Sequence, residues 1–511
     1  GYKADLSPAS YGILTCFVLI PSTNGAPNFD YAPILKRGSK FRSVTGKIFT
    51  LVEAINFKDE DSNEIVVGDI DSETGTPLNY AVRARGQAVS GELAITTISL
   101  GGYTRFRQVE VPGSNITEIV SVVDSDGNAY YEVDYLTQNT IYVPLINRGA
   151  DKKTVANILK PVSVPRRYTV IQERGKTILQ FGAGTNENAE RVLDPSNVVI
   201  EQHGKQYITD DSFDPAVLIK TDRLGVSPSN TILKIIYRIN STEDTNASIN
   251  TITKVIDPIF DFQSESTLNA TSVETTLNSL EVTNEEAFVG SNPFPPADEI
   301  KQRAYGVYSM QNRIVTKEDF IAAAYNMPSN FGTIKKVNVL QDSDSFNQRN
   351  INLYVISANS LGNLVQANTT IKNNLKTYLQ RLKMINDSID ILDTNIINLR
   401  ISFKIIAFPN VNKFSALDIA KQDVARYFSA RNHYDIGEPF SITDVFAVLK
   451  NSSAVLDVEE VDVTVQSGGD YADSNFIINN NKIASGRKII CPENAVFEIK
   501  YPNSDIAGTV A

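Results

Sequence analysis

Two helix starts and a strand, crowded between Asn292 and Asp342, constrain this chain more than any other stretch. Pro295 and Pro296 sit where a first helical turn tolerates a missing N–H, and Asp298 and Glu299 complement the positive end of the helix dipole. Ile300, Ala304, Val307, Tyr308 and Gln311 follow at helical spacing. After Arg313-Ile314-Val315, Thr316 precedes Asp319 at the spacing of a capping box. A second helix is therefore expected, with Phe320, Ala323 and Ala324 on its apolar face. Met327-Pro328 should stop it, because the residue before a proline is pushed out of the helical region. Gly332 then turns the chain into Ile334, Val337 and Val339, a β-rich run ending in a polar loop from Gln341 to Asn350. Two short capped helices delivering a strand make a scaffold, with no group placed for chemistry.

At 511 residues the chain exceeds what one core supports, and its length suggests about three domains. Lys and Arg number 48 against 59 Asp and Glu, a net charge of −11. Nucleic acid and anionic membranes are poor partners for that balance, since the phosphate-neutralising interaction has the wrong sign. Of two cysteines, Cys16 lies inside the apolar run Ile13–Ile20 and Cys491 precedes Pro492. So far apart, they read as small core hydrophobes in a reducing compartment rather than as a disulfide. The run around Cys16 is too short to cross a bilayer and reads as a buried strand. No basic segment with a small-residue cleavage site precedes it, so a secretory signal is not expected.

Residues 1–100 read as a β-rich domain. Phe41, Val44, Ile48, Phe49 and Val52 alternate through Ser39–Phe57 with Gly38 and Gly46 as turn points, and Lys58–Glu64 is a charge run expected at a solvated loop tip. Residues 101–240 read as a second β-rich domain, or an insertion. In it, Ile116–Val123 and Ala129–Leu136 flank Asp124-Ser125-Asp126-Gly127-Asn128 as a hairpin. That turn imitates the start of a calcium loop, but Ala129 stands where glycine is needed and Tyr135 where a bidentate glutamate is needed, so no metal site is assigned. Tyr168–Ile171, Thr177–Phe181 and Thr231–Ile239 read as further strands. The Gly182-Ala183-Gly184 and Arg223-Leu224-Gly225 turns between them lack the pattern of a phosphate cradle. From Ser241 to Ser291 the composition shifts to Thr, Ser, Asn and Glu, which reads as a linker with some strand content.

Residues 292–511 read as an α+β part. Thr369 is expected to cap a helix whose stripe is Ile371, Leu375, Tyr378, Leu379, Leu382 and Ile385. Ile397, Leu399, Ile401, Phe403 and Ile405 alternate with polar residues as a half-buried strand. Ser415 with Asp418, and Ser441 with Asp444, mark two more capped helices, and Val458–Val465 a strand. The fold class expected is multidomain α+β, with a β-rich N-terminal half and an α/β sandwich in the C-terminal half.

Asn312-Arg313-x-Val315-Thr316-x-Glu318-Asp319-Phe320 followed by Ile334-x-x-Val337-x-Val339 resembles the core signature of baseplate J-like proteins of contractile phage tails. The segments Arg37–Phe41, Gly46–Thr50, Thr177–Gly184, Gly437–Ile442, Ala454–Val458, Phe497–Pro502 and Asp505–Gly508 extend that resemblance over most of the chain. Family members carry an N-terminal helical segment ending in a Leu-Gly-Tyr-like sequence, which Gly1-Tyr2 could continue. The resemblance implies a structural subunit of the baseplate wedge in the virion tail, assembled in the host cytoplasm. Its implied partners are itself, as a homodimer and as a ring in the assembled baseplate, other wedge proteins, and a sheath-initiating or hub-proximal protein. The implied role is to transmit the conformational change that triggers sheath contraction.

The residue inventory agrees with a non-enzymatic reading. The chain holds two histidines, His203 and His433, neither at metal-ligand spacing from the other; His433 beside Asp435 reads as a surface pair. No Gly-x-Ser-x-Gly or His-Glu-x-x-His occurs. No catalytic, cofactor-binding or metal residue is therefore assigned. Two other readings remain. A secreted or surface-exposed β-rich adhesin would, if secreted, use the sequons at Asn115, Asn240 and Asn269 as glycan acceptors. A carboxylate-based glycoside hydrolase would need two of the many Asp and Glu residues to meet across a cleft, although the chain has no Trp to line one.

Overall fold

The computed structural model describes residues 6–60, 62–72, 75–146, 157–173, 175–185, 224–242, 244–262, 268–292, 296–342, 349–359, 361–430 and 434–511. Gly1, Tyr2, His203, Arg223, Pro295 and His433, and parts of the Lys58–Glu64 run and of the Gln341–Asn350 loop, lie outside them. The chain divides into two units. One combines Pro8–Ser90 with Asp244–Ala511; the other is Gly91–Glu243 with Leu6 and Ser7. The whole is a β-rich, multi-sheet α+β fold.

In the first unit, the apolar run becomes the strand Tyr11–Thr23, with Leu14, Cys16, Val18 and Ile20 fully buried. It pairs antiparallel with Asn79–Ser90. The sheet then continues through Ile48–Leu51 and Lys40–Ser43 to Ile252–Asp257. Phe41 and Phe49 face each other across the ladder, and the Phe49 ring meets Phe288 edge-on at 4.8 Å. Val44 and Val52, expected to alternate inward with them, are 65% and 42% exposed. The strands end at Ser43 and Leu51, so each valine is the first residue beyond its strand, and Val44 enters the turn at Gly46 (φ +90°).

The stretch from Ser241 to Ser291, polar enough to read as a linker, is built into this unit. It contributes the strand Ile252–Asp257, the helix Ala270–Asn278 and the strand Glu281–Thr283, and buries Ala247, Ile252, Leu280, Val282 and Phe288 in the sheet's core. Its polar residues do structural work that composition hides. Asn284 accepts the Thr251 and Ile252 amides on Oδ1 and donates to the Ser248 and Glu286 carbonyls. Asn246 accepts the Ser291 amide and donates to the Ser291 and Ala358 carbonyls. Such side chains satisfy buried backbone groups that no ladder reaches.

Further along the same unit, Lys336–Gln341, Asn350–Ala358, Leu364–Val365 and Ser388–Asp393 form a four-stranded sheet. Its core includes residues of the Lys317–Tyr325 and Thr369–Gln380 helices. A second four-stranded sheet has Asn395–Ala407 at its centre, antiparallel to Val455–Gln466 and parallel to Ala495–Glu498 and Ile506–Val510. Leu399, Ile401, Phe403 and Ile405 point into a core shared with Ala420 and Val424 of the helix Lys413–Ala430 and with Val445 and Leu449 of the helix Ile442–Lys450.

Two expected caps shift, and a third keeps its place without bonding a backbone amide. Asn368, one residue before Thr369, is the N-cap and accepts the Ile371 amide. The helix Lys413–Ala430 starts ahead of Ser415, where Asn412 accepts the Phe414 amide. Ser441 does precede Ile442–Lys450, but its hydroxyl donates to the Asp444 carboxylate and caps no backbone amide. Ile385 is 94% exposed because the helix ends at Gln380, before the stripe reaches it.

The second unit holds a two-stranded antiparallel pair, Thr140–Ile146 with Asn157–Ser163, and a seven-stranded sheet. Its order is Gln108–Val111, Lys176–Phe181, Arg167–Glu173, Ala129–Glu132, Ile116–Val123, Ile232–Ile239 and Glu92–Ser99. The expected hairpin is present, with Val122 opposite Tyr130. The Asp124 carboxylate accepts the Asp126 and Asn128 amides and the Asn128 side chain, which closes the turn. Gly182 lets two turns cross: a Cβ there would collide with the Leu224 and Gly225 carbonyls. Arg167 is buried beside that crossing and donates to the Leu136 and Val164 carbonyls, while burial lowers its pKa to about 10.

Candidate functional site

The motif stretch builds a layered surface in the first unit. Pro296 leads the helix Ala297–Met310, and Gln311 ends it in the left-handed conformation. The capping box forms in full: Thr316 Oγ1 accepts the Asp319 amide at 3.2 Å, and the Asp319 carboxylate accepts the Thr316 amide at 2.9 Å. Phe320, Ala323 and Ala324 are buried, as are Ile334, Val337 and Val339 beyond them. The strand itself begins at Lys336.

The helix Ala297–Met310 rests on Lys317–Tyr325 at close range, where Gly306 leaves room for the Ala322 methyl. Arg303 binds Glu299 at 2.6 Å and lies over the Tyr325 ring, 5.0 Å from its centre. Tyr325 in turn accepts the Val337 amide on its hydroxyl, and burial drives its pKa well up, reinforced by the Asp435 charge. The inward face is therefore Arg303, Gly306 and Met310. Of the residues at helical spacing in the sequence, Ile300 and Tyr308 are exposed. Tyr305 is exposed as well.

A concavity of about 720 Å³ is lined by Leu361, Phe428, Tyr434, Phe497, Glu498 and Lys500 among others. Glu498 is nearly fully buried. It accepts the Leu364 amide at 2.6 Å and Asn398 Nδ2 at 2.8 Å, while burial raises its pKa. Asp505, equally buried, accepts the Tyr471 hydroxyl and the Tyr501 amide. Both carboxylates are engaged by the fold on each oxygen, an arrangement that braces the sheet and its neighbouring loop. The donors to Glu498 lie 134 and 100 residues away, beyond any local pattern, whereas Asp505 takes one of its two from Tyr501, four residues before it.

Other candidates resolve locally. Asp435 binds Lys336 Nζ at 2.6 Å. Asn240 is 7% exposed, and Asn269 caps the helix Ala270–Asn278 through the Thr271 and Ser272 amides, so both sequon side chains are committed to the fold. Cys16 and Cys491 are free, buried thiols, both pushed up to about 12 by burial. Among the described residues, no group of three or more His, Cys, Asp or Glu side chains could hold a metal ion, and no helix is long and apolar enough to cross a membrane.

No family model matches the sequence, and no curated protein matches it. Among solved structures, the chain aligns with one in the cryo-EM structure of the anti-feeding prophage (AFP) baseplate, 6-fold symmetrised. The alignment covers 99% of this chain and 78% of that one at 9% sequence identity, with a TM-score of 0.28. A likeness that loose carries no argument about fold or function.

Proposed function

We propose that this chain is a structural, self-associating subunit of a contractile-tail baseplate wedge, and that it transmits the conformational change leading to sheath contraction. The observation that carries the reading is the motif Asn312–Phe320 with Ile334, Val337 and Val339. Its residues occupy the positions a scaffold requires, the threonine and aspartate closing a helix cap and Ile314, Phe320, Ile334, Val337 and Val339 filling one core, while Val315 stays exposed. In this reading the chain is not an enzyme. It sits in the tail baseplate of the virion, is assembled in the host cytoplasm, and packs with other wedge proteins and a sheath-initiating or hub-proximal protein.

Imaging tests this directly. Particles purified from cells that produce the chain with an added label are expected to show density at the end of the tail that meets the target cell. Absence of the chain from every contractile particle would overturn the proposal. Turnover of polysaccharide by the purified chain would favour the hydrolase instead.

A further inference from the structure

One helix in the first unit is half bare. Ala297–Met310 buries Met310 and turns Arg303 and Gly306 inward, while the opposite side carries Asp298, Lys301, Tyr305 and Tyr308. The side chains of Asp298 and Lys301, 3.6 Å apart as an exposed ion pair, are 94% and 73% exposed, and Tyr305 and Tyr308 are 76% and 80% exposed. Their spacing of three, four and three residues is that of an a/d seam, the stripe one helix offers another when two pack nearly antiparallel or parallel. Tyrosine is a residue that interfaces favour, because it brings rigid area and a hydroxyl at little entropic cost.

The chemistry of the stripe selects its occupant. In an antiparallel pair, an a position meets a d position of the other helix, so Asp298 would face Tyr308 and Lys301 would face Tyr305, each twice about one two-fold axis near Arg303. The carboxylate meets a phenol donor and the ammonium meets an aromatic face, a match that a like copy supplies by itself. In a parallel pair, Asp298 would meet Asp298 and Lys301 would meet Lys301. We infer that the Asp298–Tyr308 face is a two-fold, antiparallel docking site for a second copy of this chain. This rests on the self-association in the proposed function and adds the surface that performs it. A helix pair of this length covers on the order of a few hundred Å² per partner, less than the roughly 800 Å² of a standard interface, so the isolated dimer should be weak.

Sedimentation of the full chain should show a reversible monomer–dimer equilibrium, and Tyr305→Ser with Tyr308→Ser should weaken it at least tenfold. Cross-linking then reads the geometry. Asp298→Cys chains mixed with Tyr308→Cys chains should form an intermolecular disulfide. Neither should do so alone, because like positions would lie about 15 Å apart along the helices at 1.5 Å per residue. The buried native thiols give little background. Both substitutions fall on the exposed face, and unchanged melting confirms the variants are folded. If one melts early, the cross-linking pattern of the other with its partner decides. Dimers indifferent to the tyrosines and silent in the mixed cross-link would overturn this surface and leave self-association standing. Cross-linking of Asp298→Cys with itself would overturn the antiparallel arrangement. A chain monomeric at every soluble concentration would overturn self-association as well, leaving the baseplate assignment to imaging.

Discussion

Glu498 shows how a single side chain ties stability to pH. The residue is 3% exposed, and burial raises its pKa despite two donors that favour the charged form. A carboxyl whose folded pKa exceeds its unfolded value binds a proton more tightly when folded. Its contribution is therefore most favourable below the ordinary carboxylate range and is lost as pH rises through the folded pKa. Glu498→Gln removes the titration, so the stability of the natural chain relative to this variant should fall between about pH 4 and pH 7. Urea midpoints of the two proteins at both pH values check this; a relative gain for the natural chain at pH 7 would give the opposite sign. Residues differ in how openly the sequence shows such roles. Cys16 is legible as core because its neighbours are apolar on both sides. Glu498 closes the apolar run Ala495-Val496-Phe497, where a charge reads as a strand end at the surface. Leu364 and Asn398, which hold it, are 134 and 100 residues away in sequence, beyond any local pattern.

Helix starts follow the same division between local and distant causes. Thr316 was readable because its partner Asp319 lies within the same turn, and Thr316→Ala should cost about 1 kcal/mol whereas Lys317→Ala should cost little. The run Asn368-Thr369-Thr370 holds three residues able to cap, and nothing local chooses among them. Asn368 takes the position because its Nδ2 also donates to the Tyr11 and Ala287 carbonyls, joining the helix Thr369–Gln380 to the start of the first strand. Asn368→Ala should thus cost about 2 to 3 kcal/mol, a cap plus two lost bonds to backbone carbonyls, against about 0.5 kcal/mol or less for Thr369→Ala. Chemical denaturation of the four variants tests both statements, and equal losses at residues 368 and 369 would put the cap where the sequence alone suggests. Strands were easier to read: the unbroken apolar run Ile13–Ile20 located Tyr11–Thr23 and period-two alternation located Asn395–Ala407, whereas Val44 and Val52 misled because alternation in the sequence continues past a strand's last residue.

At the level of the chain, the unit Gly91–Glu243 interrupts another whose two parts are joined only in space. Composition could mark the polar stretch Ser241–Ser291 but not its destination, since a strand with few large apolar residues becomes core only when a sheet like that of Phe41 and Phe49 receives it. Each unit has its own buried cluster, one around Leu179, Phe181 and Ile235, the others around Phe49, Leu353 and Phe403. Separate cores of this kind unfold as separate cooperative blocks. Chelation by EDTA should leave both transitions in place; a large loss in EDTA would reveal a structural cation. Gly182 offers the decisive perturbation, because a methyl there has no room against the Leu224 and Gly225 carbonyls and the turns must part. Gly182→Ala should cost several kcal/mol, on the scale of severe core overpacking, and it should do so within the inserted unit alone. Amide exchange resolved by peptide is the measurement. Strands Arg167–Glu173 and Ile232–Ile239 should lose protection while Tyr11–Thr23 and Asn395–Ala407 keep theirs. Equal loss across all four strands would mean that the chain folds as one block.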